Sequence, residues 1–190
     1  MANHCWNWVC FTGDKDNLQK LHDGLRKAES LNAENDGLLW YETFYAALGL
    51  EVPTETKDVY NEFGSKWLDI HDIDLSDDSV ELTASSAWSP TSDFFLKLSK
   101  VYNLKFESEY DESGSDFGGF LSGSNGEIET NSDYTYIQYK WIRDGFEVID
   151  IDYDNLETKE EAIEFYSPIK EVCNDANWNE ILKLINEHFK

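Results

Sequence analysis

The 190-residue chain has room for one ordinary domain, and its seven Trp, ten Tyr and eleven Phe supply enough large apolar side chains for a packed core. Fifteen Lys and Arg stand against 39 Asp and Glu, a formal net charge of −24; such a surface repels phosphate and excludes direct nucleic-acid binding through a basic patch. It attracts basic partners and favours solubility instead.

The opening Met1-Ala2-Asn3-His4 has neither a basic n-region nor an apolar h-region, and no run has the length and apolarity of a membrane span. Cys5, Cys10 and Cys173 are odd in number and form no CxxC pair, which fits buried thiols in a reducing, cytoplasmic setting.

Cys5 to Thr12 alternates, with Cys5, Asn7, Val9 and Phe11 on one face and Trp6, Trp8 and Cys10 on the other. Apolar groups on both faces predict a central strand. Gly13 ends it, and Asp14 or Asp16 caps a helix to about Glu29 whose inner stripe is Leu18, Leu21, Leu25 and Ala28. Gly24 sits inside that helix at a cost of about 1 kcal/mol relative to Ala. Residues 30–65 read as an insertion covering part of the core: a polar loop from Ser30 to Gly37, a short helix from Leu38 to Leu48, a turn at Pro53–Thr56 and a helical turn at Asp58–Phe63.

Trp67 to Leu75 alternates imperfectly and predicts a strand, returned by a turn at Ser76–Ser79 and a second strand from Val80 to Trp88. Ser89 and Pro90 open a helix with Phe94, Phe95, Leu98, Val101 and Tyr102 inward. Leu104, Phe106, Ser108 and Tyr110 alternate with charged residues in the next strand. Asp111 to Asp116 is an acidic, glycine-containing loop. Phe117–Ser122 and Glu127–Thr130 flank Asn125-Gly126, a strong hairpin signal. Tyr134–Trp141 and Phe146–Ile151 predict a second hairpin around Asp144-Gly145. Thr158 and Glu161 form a capping box for a helix to about Val172, kinked or divided at Pro168. Asn177 caps a last helix with Trp178, Ile181, Leu182 and Ile185 inward.

This order predicts an α+β, ferredoxin-like sheet with helices on one face, plus an extra hairpin and C-terminal helices. Residues 1–130 form the ferredoxin-like domain with its insertion, and 131–190 pack on the same core. Several stretches sharpen the assignment: the opening Met-Ala-Asn with Cys5, Thr12-Gly13-Asp14, Phe63-Gly64-Ser65-Lys66-Trp67, Ala87-Trp88-Ser89-Pro90, and Tyr110 with Glu112, Gly114, Phe117 and Gly119. Together they resemble the YubB-type ferredoxin-like domain family, found in plasmid- and phage-borne proteins of unknown function. That family opens Met-x-Asn-Trp-Cys and carries Trp-Gly-Thr-Lys-Trp; here His4, Phe63 and Ser65 replace a Trp, a Trp and the Thr. The resemblance spans about the first 130 residues. It implies a mobile-element origin and carries no catalytic residues over.

Six residues are candidates for one ligand-binding site at an end of the sheet: Lys66, Trp67, Trp88, Ser89, Glu109 and Glu112. Carboxylates beside tryptophan and lysine suit a small polar ligand or acid–base work; packing of the tryptophans and capping by Ser89 explain the same residues structurally. His71 lies among Asp69, Asp72 and Asp74, yet strand alternation puts Asp72 and Asp74 on the opposite face. Asp150, Asp152, Asp154 and Glu161 have calcium-loop spacing, but Asn155 replaces the glycine and a strand precedes the loop. No metal or other cofactor is therefore expected. There is no P-loop, GxGxxG or GxSxG.

The expectation is a non-enzymatic, acidic interaction protein that engages a basic host protein and mimics nucleic-acid charge to inhibit a defence or DNA-processing factor. The alternative is a small-ligand binder or unusual enzyme using Trp67, Trp88 and Glu109.

Overall fold

In the computed structural model, residues 4–34, 40–52, 61, 63–151 and 154–190 are described. Strand β1, His4–Thr12, buries Cys5, Asn7, Val9 and Phe11 and turns His4, Trp6, Trp8, Cys10 and Thr12 the other way. The Asp14 carboxylate accepts the N–H groups of Asp16 and Asn17 and so starts helix α1, Lys15–Glu34, whose Leu18, Leu21, Leu25 and Ala28 are fully buried. The helix runs five residues past the expected end at Glu29, into what reads as a polar loop. A Cβ on Gly24 would stand 2.9 Å from Leu48 Cδ2 and 3.3 Å from the Tyr102 hydroxyl. The glycine therefore exchanges helix propensity for close packing.

Helix α2, Trp40–Ala47, buries Phe44 and Tyr45, and Phe63 stacks on Phe94 with centroids 4.1 Å apart and planes at 14°. The insertion thus supplies core side chains of its own. The turn expected at Pro53–Thr56 and most of the helical turn at 58–63 lie outside the described residues.

Strands β2, Leu68–Leu75, and β3, Ser79–Ala87, follow. Helix α3 is Ser92–Tyr102, and β4 is Lys105–Glu112. Ser89 does not cap α3. Thr91 is the N-cap residue, without a side-chain cap bond, and the Asn7 amide oxygen accepts the Thr91 N–H at 3.1 Å. The Ser89 hydroxyl is already engaged, donating to the Gly64 carbonyl at 2.6 Å. Strands β5, Phe117–Ser124, and β6, Glu127–Tyr134, form the hairpin signalled by Asn125-Gly126, both of which have positive φ, 50° and 83°, as a type I′ turn demands.

The strands form one six-stranded sheet in the order β2-β3-β1-β4-β5-β6. β1 runs antiparallel to both β3 and β4, and β2 runs antiparallel to β3. The first four strands have the ferredoxin-like order, which the β5–β6 hairpin extends. The fold is α+β, as the element order predicts. Gly119 shows how tightly the added strands pack: a Cβ there would lie 2.5 Å from both the Ser132 carbonyl and the Tyr110 hydroxyl.

The chain divides into two compact units, residues 1–115 with 119–132 and residues 116–118 with 133–190. In the second, the expected second hairpin is a helix, α4, Tyr136–Asp144, followed by a 3-10 turn at Gly145–Val148. The Tyr/Thr alternation misleads because it competes with a stronger helical signal. Thr135 and Gln138 form a capping box, Ile137 and Trp141 share one face at i, i+4, and Gly145 is the C-cap. Thr158 and Glu161 cap α5, Lys159–Tyr166, and a 3-10 segment carrying Pro168 divides it from the next helix. That helix, α6, Asp175–His188, is capped by Asn174 rather than Asn177, whose N–H donates to Asn174. Ile137, Trp141, Ile151, Ala162, Tyr166, Ile169, Ile181 and Ile185 form a core cluster within this unit. No helix among the described residues is long and apolar enough to cross a membrane.

Candidate interaction face

The six residues expected to converge do not share one site. Glu109 and Glu112 are three apart on β4, so the pleat sends them to opposite faces. Glu109 stands opposite Trp8 on the side away from the helices. Glu112 is buried; its Oε1 accepts the Gly114 N–H at 3.0 Å, and its Oε2 has no hydrogen-bond partner. Trp67 packs edge-on against His4 with centroids 4.9 Å apart, and Lys66 is exposed.

Trp88 and Ser89 belong to a corner stitched by hydroxyls. Ser65 Oγ accepts the Ala87 N–H and stands 2.9 Å from the Ala87 carbonyl, so one side chain does what a paired strand residue would do. Ser86 and Asn7 extend this buried network through Cys5 and Ser89. Trp88 has φ 70° and is 53% exposed, an uncommon backbone state for a bulky residue.

A second set of residues, of which the sequence singles out only Glu109 and the aspartates around His71, lies on the face of the sheet away from the buried side chains. A β-bulge between Ile70 and Asp72 creates part of it. Through the bulge Leu68, Ile70 and Ile73 all point inward, and Asp69, Asp72 and Asp74 pair with Ser85, Thr83 and Glu81, on the open face. The alternation that placed Asp72 and Asp74 opposite His71 is therefore corrected: the extra residue shifts the register by one. His71 Nε2 meets Ser85 Oγ at 3.0 Å, and its ring stacks on Trp6.

The registers define rows across four strands. One row reads Asp74, Glu81, Cys10, Glu107, the next Asp72, Thr83, Trp8, Glu109, and a third Asp69, Ser85, Trp6, Asp111. Two columns of carboxylates, Asp69-Asp72-Asp74 on β2 and Glu107-Glu109-Asp111 on β4, thus flank a floor carrying Trp6 and Trp8. The columns are separated by three inter-strand spacings, about 14 Å in all. Beside Trp8 a cavity of about 320 Å³ is lined by Glu107, Glu109, Phe120, Ser122 and Thr130 among others, and a neighbouring one of about 230 Å³ is lined by Cys10, Lys105, Glu107 and Glu129 among others. Of the two β1 thiols only Cys10 belongs to this face. Burial pushes the Cys5 thiol up to about 12; burial and then Glu81 raise Cys10. The period-two pattern of β1 and β4 contains this signal, Trp6-x-Trp8 facing Glu107-x-Glu109-x-Asp111, once the two strands are known to be neighbours.

The arrangement concentrates negative charge beside aromatic surface. Among the described residues no group of three or more His, Cys, Asp or Glu is placed to hold a metal ion. Asp152 of the calcium-like spacing lies outside the described residues. Glu161 is committed to the N–H groups of Glu157 and Thr158, and Asp154 accepts the Tyr166 hydroxyl.

A family model described as the ferredoxin-like domain in Api92-like protein matches residues 62–167. The solved crystal structure of a protein Api92 from Yersinia pseudotuberculosis is similar at 8% identity and a TM-score of 0.47, over 70% of this chain and 98% of that one. No curated protein matches the sequence.

Proposed function

The chain belongs to the family defined by the ferredoxin-like domain of Api92-like proteins, and we propose that it is a non-enzymatic interaction protein whose acidic sheet face engages a basic partner. In the YubB-type, mobile-element setting implied by the motifs, that partner is a host defence or DNA-processing protein, inhibited because the carboxylates occupy its phosphate-binding surface. The observation that carries the reading is the pair of carboxylate columns on β2 and β4. Acidity serving solubility alone has no need of ordered rows, whereas a surrogate for phosphate charge needs a continuous stripe. Capture from a bacterial lysate at low and high salt tests it. The reading predicts one basic protein in stoichiometric amount, released by high salt and lost from the variant Glu107→Gln/Glu109→Gln/Asp111→Asn. Equal capture by that variant overturns it.

A second reading, a small-ligand binder at the corner of Lys66, Trp67, Trp88 and Ser89, draws on the exposed indole of Trp88 held at positive φ, since backbone strain concentrates at functional sites. A thermal-shift screen of metals and small polar ligands separates the two. A shift abolished by Trp88→Gly favours the corner, and one abolished by Glu109→Gln favours the open face.

A further inference from the structure

The open face carries more than charge. Its central strand presents Trp6, 41% exposed, and half-buried Trp8, side by side in the i, i+2 relation of one pleat face. β5 brings Phe120 to the far wall of the cavity beside Trp8, and Glu107 and Glu109 line the same space. An aromatic wall with two carboxylates within one small cavity is poorly suited to an anion, and also to an apolar ligand, which would leave the carboxylates desolvated. A cation with a flat, weakly hydrated surface meets both requirements at once. It stacks on an indole and donates to carboxylates in its own plane.

We infer that this cavity receives an arginine side chain from a basic segment of a partner protein, its guanidinium lying against Trp8 and hydrogen-bonded to Glu107 and Glu109. The inference rests on the acidic-interaction reading and names the group recognised. Size supports it: about 320 Å³ is at the lower bound of small-molecule sites, so it suits one side chain rather than a larger ligand. Arginine is favoured over lysine because the guanidinium is planar and forks onto carboxylates, while the ammonium is a compact, strongly hydrated point charge. The β4 column continues past the cavity to Asp111, opposite Trp6, where a further cation of the same basic segment meets it. A second copy of this face is a poor occupant, since an isologous contact would set carboxylate columns against carboxylate columns.

The test is fluorescence anisotropy of dye-labelled peptides against the intact chain: one of alternating arginine and alanine, its lysine counterpart and its citrulline counterpart. The arginine peptide binds with affinity falling as salt rises, the lysine peptide binds about tenfold more weakly, and the uncharged citrulline peptide does not bind. Trp8→Ala weakens the arginine peptide about tenfold and the lysine peptide less; Trp8→Phe, which keeps an aromatic face, retains most of the binding, and Glu109→Gln weakens both peptides without altering the fold. Equal binding of arginine and lysine peptides, indifferent to Trp8→Ala, overturns the arginine site and leaves the acidic-interaction reading standing. No binding of either peptide overturns the site as well. Failure of the lysate capture, in addition, removes the reading on which the site rests.

Discussion

The Trp6 indole and the His71 imidazole lie nearly parallel, centroids 5.6 Å apart and planes inclined at 11°. The contact exists because His71 is the extra residue of the β2 bulge, between Ile70, opposite Ala84, and Asp72, opposite Thr83. The bulge does two things. It keeps Ile70 and Ile73 in the core, and it turns Asp72 and Asp74 outward. Replacing His71 by Ala keeps the register and removes the ring contact with Trp6 and the hydrogen bond with Ser85, so it costs about 1 kcal/mol. Deleting His71 removes the bulge and leaves Ile70 and Asp72 as successive residues opposite Ala84 and Thr83, so every β2 side chain keeps its face; the deletion variant is expected to melt close to His71→Ala in thermal unfolding. A deletion variant that melts far below His71→Ala would mean that the bulge itself, rather than the pairing on either side of it, holds the strand.

Asp74 and Glu81 are direct cross-strand partners, and Glu81 faces Cys10 on its other side, which faces Glu107. Like charges directly opposite destabilise a sheet. Glu81→Gln is expected to stabilise the chain by about 0.5 kcal/mol at low ionic strength, with the gain shrinking as salt screens the repulsion. Urea unfolding at two salt concentrations checks it.

Trp88 is held at φ 70° although half its surface is exposed. Such a conformation costs a non-glycine residue about 1–2 kcal/mol, and the exposed indole returns little burial. Trp88→Gly should raise the unfolding midpoint. A fall would show that the indole packs more strongly than its exposure implies.

In the second unit Arg143 donates from its guanidinium to both oxygens of Asp144 at 2.7 and 2.8 Å, and Lys140 stands 3.1 Å from the same carboxylate. The Arg143 hydrogen bond holds the Asp144 carboxyl below its ordinary 3.8, helped by Lys140 and opposed by burial. A depressed carboxyl stabilises the fold fully above its unfolded value, and that stabilisation is lost as pH falls through the lower folded value. Asp144→Asn should therefore cost about 1 kcal/mol at neutral pH, with the gap to wild type closing below about pH 4. Melting curves of both proteins across that range measure it.

Much of the first unit was legible from pattern alone, because each of its strands alternates or is bounded by a turn, and the Asn125-Gly126 and Asp14 signals are local. What local pattern did not carry was neighbourhood. Glu109 and Glu112 look like one site in the sequence until the pleat separates them, whereas Trp8 and Glu109 are a hundred residues apart and meet only because β1 pairs with β4. The bulge at His71 hid in an alternation that read as merely imperfect. In the second unit, Tyr134 to Trp141 offered period two and period 3.6 together. The capping box of Thr135 and Gln138, with Ile137 and Trp141 four apart, decided for the helix.

The open face is most directly tested through its own thiol. Cys10 lies in the row between Glu81 and Glu107 and is half-buried, Cys5 is fully buried, and Cys173 sits in the other unit. Maleimide labelling at about pH 8.5, followed by mass spectrometry with and without saturating arginine–alanine peptide, reads each thiol separately. The account predicts that the peptide slows labelling of Cys10 and leaves Cys173 unchanged, with Cys5 unlabelled throughout. Unchanged labelling of Cys10 while the peptide is bound would contradict it and move the recognition surface elsewhere.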